Sequence, residues 1–371
     1  MNSICEIKLC TGCGSCINIC PQNCVTMISD SLGHLYPYII EEKCIDCFLC
    51  SDSCPSNHAP LLQKPKSVWA AWSNDDEDRL SSSSGGVASV LSSYVVNKGG
   101  VVYGVVFEKP FTLIHRRISN RNDLKLLKGS KYAQADTRNT FKNVLKDLKN
   151  NFLVMYIGTP CQIAGVKAYL KKDYENLITV DLICHGVPSL HLLKESIPKR
   201  YLEKEFDIIK FRNSTGYHFS LQNNNSLVYD RILSDDYFLK GFFTSLFFRD
   251  SCYTCPYATT ARVADITLGD FWGLKDPIID VSMNKGISLV LINSQKGAIL
   301  FDENKHFLSL YQRTIEEAVS GNKQLGSPSK RTLRSKLFRK IYPFMQFNTA
   351  VCICLWEIFL KSKLNSFLNK S

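Results

Sequence analysis

The sequence predicts three units in one chain. A small α+β domain wrapped around cysteines covers residues 1–62, an α/β domain covers 63–325, and a basic amphipathic tail covers 326–371. Three observations carry that division. Ten of the sixteen cysteines precede residue 62. From Val68 onward, apolar runs alternate with amphipathic stretches, the pattern of strands and helices in α/β architecture. From Ser329 to Ser371, nine Lys and Arg residues stand against Glu357 alone. A chain of 371 residues has room for such units, and its 45% hydrophobic and 21% charged composition is that of a folded protein.

The tail contributes +8 of the formal charge of +11, which leaves about +3 for the other 328 residues. A nearly neutral body does not grip nucleic acid, so no nucleic-acid partner is expected. The opening MNSICEIKLCTG has no basic stretch followed by an apolar run, so no secretory leader is read there. Dense cysteines in C-x-x-C spacings are then expected to bind metal in a reducing cytoplasm rather than to form disulfides.

Cys10, Cys13, Cys16 and Cys20 form a C-x2-C-x2-C-x3-C-P run, and Cys44, Cys47, Cys50 and Cys54 repeat it before Pro55. In such a run three thiolates hold one 4Fe-4S cluster and the fourth crosses to the other. Cys10, Cys13, Cys16 and Cys54 are therefore expected at one cluster, and Cys44, Cys47, Cys50 and Cys20 at the second, as in bacterial two-cluster ferredoxins. A pair of zinc sites is the alternative, although zinc prefers separated C-x2-4-C pairs. No C-x3-C-x2-C run occurs, which argues against a radical S-adenosylmethionine site. Between the runs, two short strands around a turn near residues 31–33 would join the halves. Gly12 and Gly14 are expected to let the backbone approach the sulfurs. Cys24 reads as a small buried filler, Cys5 has no assigned role, and residues 63–66 read as a linker.

In the body, the serine- and glycine-rich loop 81–86 leads into a helix over 87–97 and a buried strand over 101–107. Such a loop either caps the helix or offers backbone amides to an anion. Residues 152–188 read as a βαβ crossover: strand 152–157, a tight turn ending at Cys161, helix 162–172, strand 177–183, then Cys184 and His185. Its strands must run parallel, so Cys161 and Cys184 leave from the same sheet edge, where open α/β sheets bind ligands. With the C-x-x-C pair Cys252 and Cys255, they make four thiolates for a third 4Fe-4S cluster. Zinc would satisfy the same ligand count, and Cys161 with Cys184 could instead be a redox pair.

In the tail, residues 341–360 are rich in Ile, Phe, Leu, Val and Cys but include Pro343, Gln346, Asn348 and Glu357. That is marginal for a membrane span. Two expectations stay open: an interfacial helix on anionic lipid, giving peripheral membrane contact, or a helix packed on the body or a partner.

The same stretches resemble the beta-subunit family of coenzyme F420 hydrogenases and dehydrogenases, which is related to hydroxymethyl-chlorophyll a reductase. LGHLYP, SSSGGVAS, KGSKYAQAD, GTPCQIAG, VDLICHGVPS, FRNSTGYHFS, RDSCYTCPYA, ARVADITLGDFWG and KGISLVLINS carry the likeness, with the cysteine runs, over residues 5–295. The resemblance implies FAD beside iron–sulfur clusters. It implies hydride exchange with a small soluble substrate, of the coenzyme F420 type in the family, and a ferredoxin-type or other redox protein as partner. Family members also occur among polysaccharide-synthesis genes.

No G-x-G-x-x-G is present, so a flavin must use other loops. The candidates are Ser84, Gly85 and Gly86 for phosphates, Gly129, Ser130, Lys131 and Tyr132 for phosphate or ring contacts, and Thr159 near the isoalloxazine. Clusters move single electrons while most organic substrates need two, and a flavin joins the two regimes. His185 is either a proton donor at the flavin or structural. Asp265 and Asp270 read as turn caps, and Phe271 and Trp272 as core. Arg212, Arg249 and Arg262 would offset cluster and phosphate charge or hold surface carboxylates. Two other functions fit the same residues: an electron-transfer subunit without its own substrate, and a structural metal protein in a polysaccharide-synthesis assembly.

Overall fold

The computed structural model describes residues 3–213, 216–274 and 285–368, with side chains to 361. Ser214 and Thr215 of FRNSTGYHFS, and the side chains of Lys363 and Lys370 in the tail, lie outside the described residues. The N-terminal unit has two short helices, α1 (Ser15–Ile19) and α2 (Leu49–Asp52), one in each cysteine run. Between them β1 (Val25–Ser29) and β2 (Leu35–Ile39) pair antiparallel, Val25 opposite Ile39. Asp30 closes the expected turn: its Oδ1 accepts the amides of Leu32 at 2.9 Å and His34 at 2.8 Å. An aspartate side chain replacing a backbone acceptor is the usual chemistry of such turns.

The body is a three-layer α/β/α arrangement. Its strands are β3 (Ser67–Ser73), β4 (Val101–Glu108), β5 (Thr112–Ile118), β6 (Val154–Gly158), β7 (Leu177–Leu182), β11 (Ile266–Asp270), β12 (Ser288–Ile292) and β13 (Leu308–Arg313). They are ordered β13-β3-β12-β11-β7-β6-β4-β5. The central β4, β6, β7 and β11 are parallel, and the flanking pairs are antiparallel. Helices α3 (Asp76–Leu80) and α4 (Val87–Asn97) follow β3. Alternation sorts the two faces of the sheet. Val154 and Tyr156 of β6 pack with α5 (Thr140–Lys149) and α6 (Pro160–Leu170), while Met155 joins Leu91 and Val95 of α4 and Leu300 of helix Gln295–Glu303. The α4 and β4 spans match the sequence reading. The crossover is as expected, with β6 directly beside β7 and Gly158 opposite Asp181.

A second, three-stranded sheet, β10-β9-β8 (Ser226–Ile232, His218–Asn223, Ile208–Lys210), builds a separate core with α7 (Leu190–Ser196), α8 (Lys199–Leu202), α9 (Tyr237–Phe243) and the tail. The tail helices Leu333–Ile341 and Phe347–Leu368 bury Phe338, Tyr342, Phe347, Val351 and Leu355 in that core. Packing on the body thus takes the apolar face that the interfacial alternative would have given to lipid. Among the described residues, no helix is long and apolar enough to cross a membrane.

The N-terminal unit is clamped to the body. Arg249 and Ser251 donate to the Cys10 carbonyl at 3.2 and 3.0 Å, and Thr137 donates to the Cys13 carbonyl at 3.2 Å. Gln63 and Arg262 exchange backbone hydrogen bonds of 2.7 and 2.8 Å. Residues 63–66 are therefore a pinned strap, not a loose linker, because a β-bridge takes up Gln63's amide and carbonyl.

Candidate metal centres and cofactor cavity

Crossing of the fourth cysteine brings the N-terminal thiols into two groups. Cys13 lies within electrostatic reach of Cys10 and Cys54, and Cys16 of Cys10, Cys13 and Cys54. Cys50 lies near Cys20 and Cys47, and Cys24 near Cys20 and Cys44. Cys13 also lies within reach of Cys161 of the body. Cys24 is buried, as expected, its sulfur 3.3 Å from that of Cys20. Cys5 does more than the sequence suggested: it lies beside Cys10 and Cys54, and its own thiol is pushed up while theirs are held down to about 7 and about 6. Gly12 has φ +66°, and a Cβ there would meet Gln134 Nε2 at 2.5 Å and Arg249 Nη2 at 2.7 Å. The missing side chain at Gly12 also leaves room for the body's clamp.

The four remaining predicted ligands also converge. Cys161 is not in the turn but in the first turn of α6, which begins at Pro160. Gln162 Oε1 accepts the Thr159 amide at 3.0 Å, half of a capping box, and fixes that start. Cys184 follows the carboxyl end of β7. The Cys252 sulfur accepts the Val187 amide at 3.4 Å, on the loop that carries Cys184. Burial pushes Cys184 well up, with Cys252, Cys161 and Cys255 adding to it as neighbours; Cys252 rises to about 12 and Cys255 to about 11, burial again leading. Four half-buried thiols held up in this way ionise only where a cation compensates them. Among the described residues, no group of three or more His, Cys, Asp or Glu closes tightly enough to hold a single metal ion, and this applies to the N-terminal sets as well.

The sets are consecutive in space. Gly165 lies one turn after Cys161 on α6, and a Cβ there would meet Cys13 Sγ at 3.0 Å. One helix thus touches a ferredoxin-type set with one residue and supplies the inner set with another. Arg262, expected at a charge or a surface carboxylate, is buried. It donates to the Tyr257 carbonyl at 2.8 Å and pairs with buried Asp181 at 3.1 Å, tying the Cys255 loop to β7.

Beyond the inner set, a cavity of about 310 Å³ opens outside the carboxyl ends of β6, β7 and β11. Ser84, Gly86, Gly129, Ser130, Lys131 and Tyr132 line it, as do Thr159, Cys184 and His185. Gly85 is the exception. Its amide is taken by Ser288 Oγ at 3.0 Å and its Cα lies against the Ala71 carbonyl, so it has no amide for a phosphate. Ser130's amide donates to Ser83 Oγ at 2.6 Å, and Lys128 bridges Asp78 and Ser81 at 2.6 Å each, joining the two loops.

Lys131 has only backbone carbonyls as partners, those of Leu127 and Lys128 at 3.0 and 2.8 Å among them. Burial lowers its ammonium to about 7. Burial also lowers His185, so the imidazole is neutral at pH 7 and would have only a neutral ring proton to give. Asp265, expected as a turn cap, accepts Thr179 Oγ1 and Ser294 Oγ at 2.6 Å each and holds β7 from inside. Asp270 pairs with Arg212 at 2.7 Å, and that guanidinium lies 5.2 Å from the ring centroids of both Tyr217 and Trp272. Phe271 is core, as expected, but Trp272 is a cavity wall, 40% exposed.

Two thiol runs in paired sets, an inner thiol set and a cavity at a parallel sheet edge define the class: an iron–sulfur oxidoreductase that transfers electrons. Residues 9–58 match the 4Fe-4S dicluster domain, and residues 153–317 match the C-terminal region of the coenzyme F420 hydrogenase/dehydrogenase beta subunit. Residues 153–317 are thus a C-terminal domain of the beta-subunit type, in a chain that also carries a 4Fe-4S dicluster domain. It is 21% identical over 358 residues to one of the subunits of the F(420)H(2) dehydrogenase of Methanosarcina mazei, covering 92% of this chain and 95% of that protein. It is 22% identical over 346 residues to a coenzyme F420-dependent sulfite reductase of Methanocaldococcus jannaschii, covering 88% of this chain and 50% of the relative. A chain of the F420-reducing NiFe hydrogenase complex of Methanosarcina barkeri aligns with TM-score 0.49 and 21% identity, over 71% of this chain and 87% of that one.

Proposed function

We propose that this chain passes single electrons between a redox protein and a flavin through three 4Fe-4S clusters, and exchanges a hydride with a small soluble substrate at that flavin. Bound clusters supply one-electron steps, and bound FAD supplies the conversion to a two-electron step. Residues 1–62 would hold the outer two clusters, with Cys20, Cys44, Cys47 and Cys50 farther from the body and Cys10, Cys13, Cys16 and Cys54 against α6. Cys161, Cys184, Cys252 and Cys255, within unit 63–325, would hold the third.

The observation that carries the reading is continuity. Cys13 abuts the helix that bears Cys161, and Cys184 lines the cavity directly. The wall fits FAD: Lys131 and the start of α4 at Gly86 and Val87 offer charge and amides to phosphates, while Tyr132 and Phe242 offer ring faces. Thr159 and His185 would orient the redox-active end beside Cys184. The relatives' names support a deazaflavin-type substrate, and the multi-subunit enzymes among them support a partner redox protein.

The test is anaerobic reconstitution with iron, sulfide and FAD. About twelve iron atoms and one FAD per chain are expected, with dithionite bleaching both chromophores. A protein that retains no flavin, or turns over no acceptor without a partner, would favour the electron-transfer role alone; a colourless zinc protein would sink both.

For location, we propose a cytoplasmic protein that rests on anionic lipid through the outer face of its tail. Leu333, Phe344, Ile353, Trp356 and Leu360 remain exposed there, with Lys336, Lys340 and Lys361 among them. The Arg334–Glu357 pair at 2.7 Å ties the two tail helices together. Sedimentation with phosphatidylserine-containing vesicles should succeed at low salt and fail with neutral vesicles. Equal failure with both would refute it.

A further inference from the structure

Arg249 is fully buried, at 0% exposure, and has no carboxylate within ion-pair distance among the described residues. Its neighbour Asp250 pairs with Arg331 and Arg339 instead. The guanidinium donates to the carbonyls of Cys10 and Leu35 and to Gln134 Oε1 at 3.0 Å, and sits 4.4 Å from the Tyr36 ring centroid. Its Nε has no partner among the described residues. A buried cation without a counter-ion is costly, and proteins keep one where a negative charge faces it.

The chain around it shows which charge that is. Its Nη1 donates to the carbonyl of Cys10, in the ferredoxin set nearer the body, and a Cβ on Gly12 would stand 2.7 Å from its Nη2. Its own amide donates to the Val187 carbonyl at 3.1 Å and its carbonyl accepts the Cys252 amide at 3.0 Å, while the Cys252 sulfur accepts the Val187 amide, so Arg249 is built into the loops that carry Cys184 and Cys252 of the inner set. None of its hydrogen bonds among the described residues goes to Cys20, Cys44, Cys47 or Cys50 of the outer set. Arg331, which pairs with Asp250, lies over the Tyr253 ring at 4.6 Å.

Resting on the three-cluster reading above, we propose that Arg249 is a charge shared by two cluster sites, a positioning residue that sets the reduction potentials of the near ferredoxin cluster and the inner cluster together. Each transfer between them moves one electron, oxidising one cluster and reducing the other, with no bond or proton change. A fixed cation beside both favours the reduced, more negative state of each, and net charge is one of the terms that sets cluster potential. Holding both potentials up together leaves the step between them near balance while drawing electrons inward from the outer cluster. The lone Nε–H is the donor available for a cluster sulfur.

The experiment uses the full chain, reconstituted anaerobically, with cluster potentials read by EPR-monitored redox titration. Arg249→Gln should weaken reduction of the near and inner clusters by about tenfold, a shift of about 59 mV downward for a one-electron couple, while the outer cluster is unmoved. Arg249→Lys, which keeps the charge, should recover most of the shift. Because Arg249→Gln can fail to fold, Gln134→Glu is the second variant. It places a carboxylate against the same guanidinium without changing shape, and should lower both potentials in the same sense. Unchanged potentials in Gln134→Glu at full iron content, or an equal shift of the outer cluster, overturns the proposal. An iron content of about eight in the wild-type chain would instead mark the third-cluster reading as the failure, and the near cluster's potential would still report on Arg249.

Discussion

Single side chains decide what the two kinds of site can hold. Cys252 is half-buried and bonded to the loop that carries Cys184. Cys252→Ser is expected to lower iron from about twelve to about eight atoms per chain and to leave the ferredoxin pair's EPR signal intact; an unchanged count would remove Cys252 from the ligand set. Lys131 gives the flavin reading a pH signature. Its ammonium sits at about 7 because of burial, so above pH 7 it is mostly neutral until a phosphate restores its charge. FAD binding at pH 8 should therefore take up a proton, and affinity should fall as pH rises above 7. Calorimetry in two buffers of different ionisation enthalpy measures that proton. Lys131→Met should abolish the uptake and weaken binding by about ten- to a hundredfold, since a charge-assisted contact to phosphate is worth roughly 1.5–3 kcal/mol.

At the scale of elements, helix α6 is the junction. Its first turn presents Cys161, and its second presses a glycine against Cys13. Gly165→Ala would put a methyl 2.9 Å from Cys13 Cβ and 3.0 Å from its sulfur, in a region where both partners are buried. Overpacking of this kind costs about 1–3 kcal/mol. The variant should melt earlier and show a perturbed EPR signal for the near cluster, with the outer one normal; a wild-type spectrum and melting point would mean that α6 and α1 separate readily. The βαβ unit was legible because strands β6 and β7 are continuous apolar runs. The start of α6 was read two residues late, because Pro160 and Cys161 look like a turn until Gln162 is seen reaching back to Thr159. Gly85 was misjudged for a similar reason: a glycine in a serine-rich loop reads as an amide donor, and only the neighbouring strand shows that Ser288 already occupies it.

On the scale of the whole molecule, the N-terminal unit is a docked part of the body, and one of its anchors responds to pH. His34, at 0% exposure, donates from Nε2 to the Phe247 carbonyl at 3.3 Å across the contact. Burial, then the charges of Arg249 and Arg339, lower it from 6.5 to about 3. A depressed histidine stabilises the fold fully above its unfolded value, and that stability is lost as pH falls from 6.5 toward 3. At pH 5 the loss is about 2 kcal/mol from this residue. Melting temperature of the full chain should drop between pH 6.5 and 5, and His34→Gln should flatten that part of the profile; an identical slope in the variant would move the effect elsewhere. Tail packing was the other open question at this scale. Sequence composition left lipid and body as equal hosts for its apolar side, and the small sheet's core provides the surface that takes Phe338 and Phe347.

The sequence by itself determined the covalent logic. Two cysteine runs of fixed spacing set the expectation of two clusters that exchange their fourth cysteines, and parallel strands bring Cys161 and Cys184 to one edge whatever lies between them. Tertiary structure alone decided what stands beside those thiols: Cys5 at the near set, Arg249 between two sets, Gly85 turned from the cavity and Trp272 turned toward it. The reason is range. Ligand spacing and strand period act over a few residues, whereas Arg249 meets Cys10 across 239 positions, a contact that exists only once the chain has folded back on itself.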